Sequence, residues 1–369
     1  MKPKLVTFVG TRPEIIKLSC VIKKCDKFFN HIIIHTGQNY DYELNEIFFE
    51  DLKIRKPDHF LNIKSNSLGY SIGNIISKSY EILEKIKPDS FLILGDTNSC
   101  LSAISAKRLK IPIFHMEAGN RCFDQNVPEE INRKIVDHIS DINLPYTENA
   151  RKYLLAEGIR KEFIFNIGSP MKEIIDFHSN SINNSKILEK LSLTEKEYFV
   201  VSVHREENVD IKSNLLNILK SLESIYKKYE KRIIFSTHPR TKQKLKDLSQ
   251  DFSQSIEFIK PLGFFDYIHL QKNSYVTLSD SGTLAEESTI LKFPSVSLRT
   301  STERPEAIDS GGLILGSLNE ENILGAINMS VNLKLLKEPD DYNTLNCSDR
   351  VIKIIQGYSS VVNREIWKK

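Results

Sequence analysis

The stretch HMEAGNRCFDQNVPEEINR, residues 115–133, decides how we interpret the rest of the chain. It follows an apolar run at residues 111–114 that predicts a buried strand, and residues 130–139 have the pattern of a helix. The loop between them carries Glu117, Arg121, Asp124 and Glu129. Proteins place few carboxylates where strands end, because an unpaired buried charge is costly. A parallel strand that leads into an acidic loop and a helix is where open α/β sheets bind their ligands.

These residues also have a simpler interpretation, in which Pro128, Glu129 and Glu130 merely begin a helix. Proline is favoured at the first helical position, and acidic side chains near a helix N-terminus interact favourably with its dipole. The neighbouring loops separate the two interpretations, because a ligand site needs other reactive side chains at the ends of adjacent strands.

The composition limits the kind of protein and its partners. The 369-residue chain is long enough for two α/β domains. Its formal charge of +3 argues against a nucleic-acid or membrane partner. The N-terminus lacks the pattern of a signal peptide, and no apolar run approaches the roughly 18 residues of a membrane span. The five cysteines show no paired metal spacing, so we expect reduced thiols, no metal and a cytoplasmic location.

Strand and helix patterns alternate along the whole chain, which indicates doubly wound parallel sheets. In the first half, strands are predicted at residues 5–9, 31–35, 90–94, 111–114, 142–144 and 164–167. In the second half, they are predicted at residues 198–203, 232–236, 256–259, 275–278 and 295–298. We therefore expect two α/β domains facing across a cleft, at residues 1–170 and 171–350. A helix at residues 351–369 is expected to pack back on the N-terminal domain.

The loops of the first half carry groups suited to an anionic ligand. Arg12 follows the first strand within GTRPE, residues 10–14, where Pro13 is expected at the first helical position and Thr11 or Arg12 as the cap. Backbone N–H groups and a guanidinium can jointly hold an anion there. No GxGxxG motif is present, which disfavours a nicotinamide or flavin cofactor. Asp96 and Glu117 lie just past the ends of consecutive strands, so they should line one crevice.

The loops of the second half predict a nucleotide site. The SGT segment at residues 281–283 opens a predicted helix, whose unpaired N–H groups could bind a phosphate. Glu287, about one turn further, could accept both hydroxyls of a ribose; the alternative is a tight turn with a serine cap. His204 and His238 follow other strands, where a histidine is more often a hydrogen-bonding residue than a catalyst. Taken together, these groups and the carboxylates fit a nucleoside diphosphate sugar.

The motifs taken together resemble those of the non-hydrolysing UDP-N-acetylglucosamine 2-epimerase family. They occur in order and at family-like spacing over essentially the whole chain. They are GTRPE (10–14) with Lys17, GDT (95–97), HMEAGNR (115–121), PEEINR (128–133), HREEN (204–208), SDSGTLAEE (279–287) and TERPE (302–306).

The resemblance implies a glycosyltransferase-B-like fold of two Rossmann-like domains. It also implies inversion of carbon 2 of a UDP-2-acetamido sugar, by anti elimination of UDP to a glycal and re-addition, without a cofactor. The implied catalytic residues are Asp96, Glu117, Glu129 and His204. The implied substrate-binding residues are Arg12, Lys17, Gln38, Arg121, Arg133, His238, Ser281, Gly282, Thr283, Glu287 and Arg304. We also expect a homodimer.

The chain departs from the UDP-N-acetylglucosamine enzymes in two loops. It has TGQNYDY at residues 36–42 and GNRCFDQ at residues 119–125, where those enzymes carry a QHR-type segment and a GLRT loop. GNRCFDQ, with LGDTNSC (94–100), PRT (239–241), KPLGF (260–264) and a VNR ending before Trp367, resembles the branch that makes UDP-N-acetyl-L-fucosamine from UDP-2-acetamido-2,6-dideoxy-L-talose. A sister branch acts on UDP-diacetamido uronic acids. These departures leave open whether the allosteric UDP-N-acetylglucosamine site of some family members is present.

Three other functions are alternatives to this one. A glycosyltransferase on the same scaffold would bind UDP equally well, but it does not need three acids at one carbon. A hydrolysing 2-epimerase would release UDP and free sugar. A non-catalytic UDP-sugar sensor is disfavoured, because mutual repulsion of carboxylates is a cost that a mere binder would avoid. We expect a UDP-sugar 2-epimerase that serves capsule or O-antigen polysaccharide synthesis.

Overall fold

The structure is a computed structural model that describes residues 2–37, 46–63, 67–248, 250–333 and 337–369, with the side chains of residues 46 and 47 excepted. The chain forms two compact units, Met1–Phe177 with Asp341–Lys369, and His178–Asp340. The boundaries expected from the sequence, at residues 170 and 350, differ from these. The helices at residues 171–177 and 347–362 belong to the first unit because both pack against the helix at residues 12–28.

The first unit contains a six-stranded parallel sheet in the order β3-β2-β1-β4-β5-β6. Its strands are β1 (Lys4–Val9), β2 (Asn30–His35), β3 (His59–Phe60), β4 (Ser90–Leu94), β5 (Ile113–Met116) and β6 (Ile142–Leu144). The central strands β4 and β5 are buried at every position. Parallel strands covered by helices on both faces bury all their side chains, which is why the sequence shows them as continuous apolar runs.

Helices numbered along the chain surround this sheet. They are α1 (Arg12–Phe28), α2 (Glu46–Asp51), α3 (Leu68–Ile86), α4 (Ser102–Arg108), α5 (Pro128–Ile139), α6 (Glu148–Ala156), α7 (Met171–Phe177) and α17 (Cys347–Val362), which continues into a π-helical turn, Asn363–Trp367. Thr11 is the N-cap of α1, and Glu14 accepts a hydrogen bond from its backbone N–H over 3.1 Å. This capping box explains why α1 begins within GTRPE.

The second unit repeats the arrangement with the sheet order β12-β11-β10-β7-β8-β9. Its strands are β7 (Tyr198–Ser202), β8 (Arg232–Ser236), β9 (Glu257–Ile259), β10 (Val276–Ser279), β11 (Ser295–Ser297) and β12 (Ile314–Leu315). Its helices are α8 (Ser179–Asn183), α9 (Ile187–Lys190), α10 (Glu206–Val209), α11 (Lys212–Tyr229), α12 (Pro239–Lys246), α13 (Phe264–Asn273), α14 (Thr283–Leu291), α15 (Pro305–Asp309) and α16 (Glu320–Asn332). Within the described ranges, no helix combines the length and apolar character needed to cross a membrane.

Counted within its own unit, each sheet has the strand order 3-2-1-4-5-6 of a doubly wound Rossmann fold. The prediction of two Rossmann-like α/β domains is therefore confirmed. The order reverses between β1 and β4 in the first unit, and between β7 and β10 in the second. Chains leave the carboxyl ends of these strand pairs in opposite directions and leave a crevice, so each reversal is a natural ligand site.

The prediction of a strand at residues 164–167 is wrong. A single bridge joins Ile164 to Asn143, and the chain turns away at Gly168, whose φ is +76°. The two-residue edge strands β3 and β12 are not predicted, because two residues are too few to show an alternating pattern.

Candidate active site

The crevice of the first unit collects acidic and basic side chains at adjacent strand ends. Leu94 of β4 pairs with Met116 of β5, so Asp96 and Glu117 emerge from neighbouring strands at the same edge of the sheet. Arg12 is the first residue of α1, directly after β1, and its guanidinium carbon lies 5.7 Å from the centre of the Phe48 ring. This edge therefore offers carboxylates beside a cation at a helix N-terminus, where anions are favoured.

Glu117 combines a short ion pair with an unusual backbone conformation. Its Oε2 lies 2.6 Å from Nζ of Lys17, and the two side chains are only 9% and 5% exposed. Asn120 donates to the other carboxylate oxygen over 3.4 Å. The φ of Glu117 is +64°, which a residue with a side chain rarely adopts. Such strain persists where the surrounding structure enforces it, and it is concentrated at functional sites.

Asp96 is held by a different cation, Arg133 of α5. Arg133 donates from Nε to Asp96 Oδ2 over 2.8 Å and from Nη1 to Glu130 over 2.7 Å. Asn132 donates to the backbone oxygen of Asp96 over 2.9 Å. Glu129 is half-buried and lies four residues before Arg133, so both are on the same face of α5. Arg133 thus links this face of α5 to Asp96.

Arg121 does not face this crevice. It is fully buried, and it donates to both carboxylate oxygens of Glu157, to Asp137 and to the backbone oxygen of Asn120 over 2.5–2.8 Å. Burial alone would lower the pKa of Arg121, but the hydrogen bonds to Glu157 and Asp137 raise it. These carboxylates hold the guanidinium, so Arg121 supports the loop after β5, and its expected contact with the substrate stays a prediction.

Glu14 is a further buried group at this site, and no role is predicted for it from the sequence. It accepts hydrogen bonds from the backbone N–H groups of Gly10 and Thr11 and from the hydroxyls of Thr97 and Ser99. Burial raises the pKa of Glu14 in spite of these four donors. The side chain therefore ties the loop after β1 to the loop after β4. Its capping box with Thr11 is visible in the sequence, but its bonds to the second loop are not.

Lys17 and Gln38 are the other two substrate-binding residues expected in the first unit. Lys17 also lies 5.8 Å from the centre of the Tyr146 ring, within cation–π distance. Gln38 lies outside the described residues.

In the second unit, a buried aspartate organises the crevice between β7 and β10. Asp280 follows β10 and accepts hydrogen bonds from the backbone N–H groups of His204 and Arg205 and from the side chain of Asn208, all over 3.0–3.1 Å. Its carboxylate also lies 3.0 Å from Nδ1 of His204. Burial alone would raise the pKa of Asp280, but the charge of His204 and these donors lower it to about 2. Asp280 lies within the SDSGTLAEE motif, and no role is predicted for it from the sequence.

His204 keeps one edge of its ring accessible. Its side chain is 30% exposed while Nδ1 faces Asp280, and its ring centre lies 5.7 Å from that of His238. His238 is the N-cap of α12, and its Nδ1 accepts a hydrogen bond from the backbone N–H of Arg240 over 3.2 Å. His204 is therefore aimed by Asp280, whereas His238 has a capping role that does not exclude ligand contact through its other nitrogen.

The expected phosphate segment begins α14. Ser281 and Thr283 are partly exposed, with their hydroxyl oxygens 3.0 Å apart, and Gly282 is the N-cap of the helix. A Cβ added at Gly282 would lie 2.5 Å from a carboxylate oxygen of Glu303, so a side chain does not fit without movement. Glu287 is buried and lies four residues after Thr283, on the same face of α14. This helix N-terminus has the N–H groups and the close approach that a phosphate requires.

Arg304 lies near this helix but is buried. Its Nη2 lies 3.6 Å from Glu286 of α14, and its backbone N–H is held by the hydroxyl of Thr302 over 3.1 Å. Across the part of the chain that the structure describes, no group of three or more His, Cys, Asp or Glu side chains could hold a metal ion.

Comparison with known proteins links these features to one family. The UDP-N-acetylglucosamine 2-epimerase family matches residues 23–356. A UDP-N-acetylglucosamine 2-epimerase structure from Rickettsia bellii is 48% identical, with all of both chains covered and a TM-score of 0.93.

Two further relatives show the range of sugars. The UDP-GlcNAc 2-epimerase of Methanocaldococcus jannaschii, solved in complex with UDP-GlcNAc and UDP, is 38% identical over 96% of this chain and 99% of that chain, with a TM-score of 0.91. The UDP-2,3-diacetamido-2,3-dideoxy-D-glucuronate 2-epimerase of Pseudomonas aeruginosa is 31% identical over 95% of this chain and 99% of its own length. The chain therefore belongs to the UDP-N-acetylglucosamine 2-epimerase family.

Proposed function

We propose that this protein is a non-hydrolysing 2-epimerase of a UDP-2-acetamido sugar. In the first step, the C1–O bond breaks and its electron pair leaves with UDP, while a base removes the proton on carbon 2 and the C1=C2 bond of a glycal forms. In the second step, UDP attacks carbon 1 again and an acid returns a proton to carbon 2 on the opposite face. Atoms and charge balance without a redox cofactor.

The observation that carries this proposal is the pair of carboxylates on adjacent strand ends. Glu117 is held by Lys17 at 2.6 Å, and Asp96 is held by Arg133 at 2.8 Å. Separate cations give the two acids different surroundings, as a reaction that removes and returns a proton on opposite faces requires. Glu129, on the α5 face that carries Arg133, supplies a third candidate.

We assign the UDP moiety to the second unit. The N-terminus of α14 provides N–H groups for a phosphate, and Glu287 is placed one turn along the same helix to accept ribose hydroxyls. His204, aimed by Asp280, is assigned to the diphosphate, whose negative charge grows as it leaves. We also assign Arg12, at the start of α1, to stabilising the negative charge of the diphosphate.

The identity of the sugar is a finer proposal. Motifs such as LGDTNSC (94–100) and GNRCFDQ (119–125) favour UDP-2-acetamido-2,6-dideoxy-L-talose, with UDP-N-acetyl-L-fucosamine as the product. The names of the relatives at 38% and 48% identity favour UDP-N-acetylglucosamine, and that of the relative at 31% a UDP-diacetamido uronate. We propose the L-talose derivative first, because the loop at residues 119–125 directly follows Glu117.

Incubation with each of the three UDP-sugars tests this proposal. The 2-epimer should accumulate to an equilibrium ratio, measured by proton NMR, and the preferred sugar should show the highest kcat/KM. Stoichiometric release of UDP and free sugar would instead identify a hydrolysing epimerase. Transfer of the sugar to an added acceptor would identify a glycosyltransferase.

We also propose a cytoplasmic homodimer that supplies surface polysaccharide synthesis. Light scattering coupled to size-exclusion chromatography tests the assembly, and a mass of one chain, 42.4 kDa, would contradict it.

A further inference from the structure

A buried histidine–aspartate pair lies directly beneath the two carboxylate loops of the first unit. His115 is the third residue of β5 and Asp137 is on α5, and each is only 1% exposed. His115 Nδ1 lies 2.9 Å from Asp137 Oδ1. Neither residue faces the crevice, and the proposed function gives neither of them a role.

The histidine holds the loop of Asp96. Its Nε2 donates to the backbone oxygen of Gly95 over 2.9 Å. Gly95 is the residue immediately before Asp96, and its φ of +73° sets the direction in which the chain leaves β4.

The aspartate holds the loop of Glu117. Its Oδ2 accepts hydrogen bonds from the backbone N–H of Gly119 over 3.1 Å and from Arg121 over 2.7 Å. The φ of Gly119 is +82°, and a Cβ there would lie 2.4 Å from the backbone oxygen of Ala150. The backbone at Gly119 is therefore tightly constrained, and Asp137 anchors the loop there, two residues after Glu117.

Electrostatics favour a charged carboxylate at this point. Burial alone would raise the pKa of Asp137, but its contacts with His115 and Arg121 lower it. A charged buried acceptor makes shorter and stronger hydrogen bonds than a neutral one, so it fixes its donors more tightly.

We propose that His115 and Asp137 are positioning residues for the epimerisation, which together set the spacing between Asp96 and Glu117. This inference rests on the proposed function, because it matters only if both carboxylates act on one sugar. A displacement of about 1 Å between reacting groups can lower a rate by roughly 100-fold.

The same sheet contains a matched control pair. His31 of β2 is buried, its Nδ1 lies 2.7 Å from Asp26, and its Nε2 lies 2.8 Å from the hydroxyl of Thr7. This pair has the same chemistry but lies at the amino end of the strand, at the opposite edge of the sheet from the carboxylates. Its loss should affect folding without affecting the spacing of the acids.

The experiment compares His115→Gln, His115→Asn and His31→Gln in the full chain. The Gln amide approximates Nε2 and can keep the contact with Gly95, whereas the Asn amide approximates Nδ1 and can keep the contact with Asp137. Each His115 variant should lower kcat by about 10- to 100-fold, with KM and UDP affinity within about twofold of the wild type. His31→Gln should keep kcat within about twofold, even if its melting temperature falls as far as those of the His115 variants.

Hydrogen exchange provides a readout that does not depend on activity. His115→Gln should accelerate amide exchange in the peptide that covers residues 117–121, and His115→Asn in the one that covers residues 95–97, with no change in either peptide for His31→Gln. Normal kcat in both folded His115 variants would overturn the inference, as would an equal loss in His31→Gln. If the wild type epimerises no UDP-sugar, the proposed function fails, while unchanged exchange in both His115 variants would refute the positioning by itself.

Discussion

The two units share one backbone plan and use it for different chemistry. Both have the strand order 3-2-1-4-5-6, and both place their polar side chains where the order reverses. In the first unit, that point carries carboxylates held by lysine and arginine. In the second unit, it carries a histidine and the glycine-containing start of a helix. The fold therefore supplies the location of each site, and the loops supply its chemistry.

The acids of the two units also differ in how far they are exposed to solvent. Asp96 and Glu117 are 21% and 9% exposed, whereas Asp280 of the second unit is completely buried. An accessible acid can exchange a proton with a substrate, but a fully buried acid with several N–H donors can only orient its neighbours. We infer that the first unit performs the proton chemistry and that Asp280 orients His204.

The largest effect is expected at Glu117, one of the two acids at the strand ends of the first unit. Glu117→Gln should lower kcat by at least about 100-fold, because the amide keeps the size of the side chain but cannot exchange a proton. UDP affinity should be unchanged, since we assign no UDP contact to Glu117. NMR of the epimer ratio and calorimetry with UDP measure the two quantities.

Glu197→Gln is the control for this change. Glu197 is a surface glutamate paired with Lys231 at 2.5 Å, so its loss should leave kcat within about twofold. A near-normal rate for Glu117→Gln would move the proton chemistry to Asp96 and Glu129.

A change in the second unit should weaken UDP binding, which Glu117→Gln leaves unchanged. Glu287→Ala should weaken UDP binding by about 1–3 kcal/mol, because ribose hydroxyls would lose their acceptor in a buried site. Calorimetry with UDP measures the loss, and Glu117→Gln serves as the reference variant with normal affinity. An affinity for UDP equal to that of the wild type would remove Glu287 from the nucleotide site.

The buried acid of the second unit should be visible in acid stability. The pKa of Asp280 falls from 3.8 when unfolded to about 2 when folded, so its stabilisation is complete above about pH 4 and is lost as the pH falls towards 2. The linked contribution is on the order of 2 kcal/mol, of which about half should be gone at pH 3.

Urea unfolding of the wild type and of Asp280→Asn at pH 6 and pH 3 measures this effect. The difference in unfolding free energy between the two proteins should shrink by about 1 kcal/mol at pH 3, since other carboxylates titrate equally in both. A constant difference would show that Asp280 does not keep its charge through this range.

The sequence predicts the strand ends well, because their buried strands are continuous apolar runs. Strands β4, β6 and β8 match the predicted bounds at residues 90–94, 142–144 and 232–236. Strand β5 begins and ends two residues later than the predicted residues 111–114. The placement of Asp96 and Glu117 on neighbouring strands follows from this, because consecutive strands of a parallel sheet are usually adjacent.

The sequence does not predict the partners of the site residues. Arg133 reaches Asp96 across 37 residues, and His204 reaches Asp280 across 76. Such contacts depend on sheet order and on side-chain direction, neither of which a local pattern contains. The same limit applies to Arg121, because its motif does not show that its guanidinium binds Glu157 and Asp137.

The most direct test of the central claim, that carbon 2 is inverted through removal and return of its proton, is epimerisation in heavy water. The account predicts that the product formed by the wild-type enzyme carries deuterium at carbon 2. NMR would show this as loss of the carbon 2 proton signal, and mass spectrometry as one added mass unit. Product that is epimerised but keeps its original hydrogen at carbon 2 would contradict the elimination mechanism and the roles proposed for Asp96, Glu117 and Glu129.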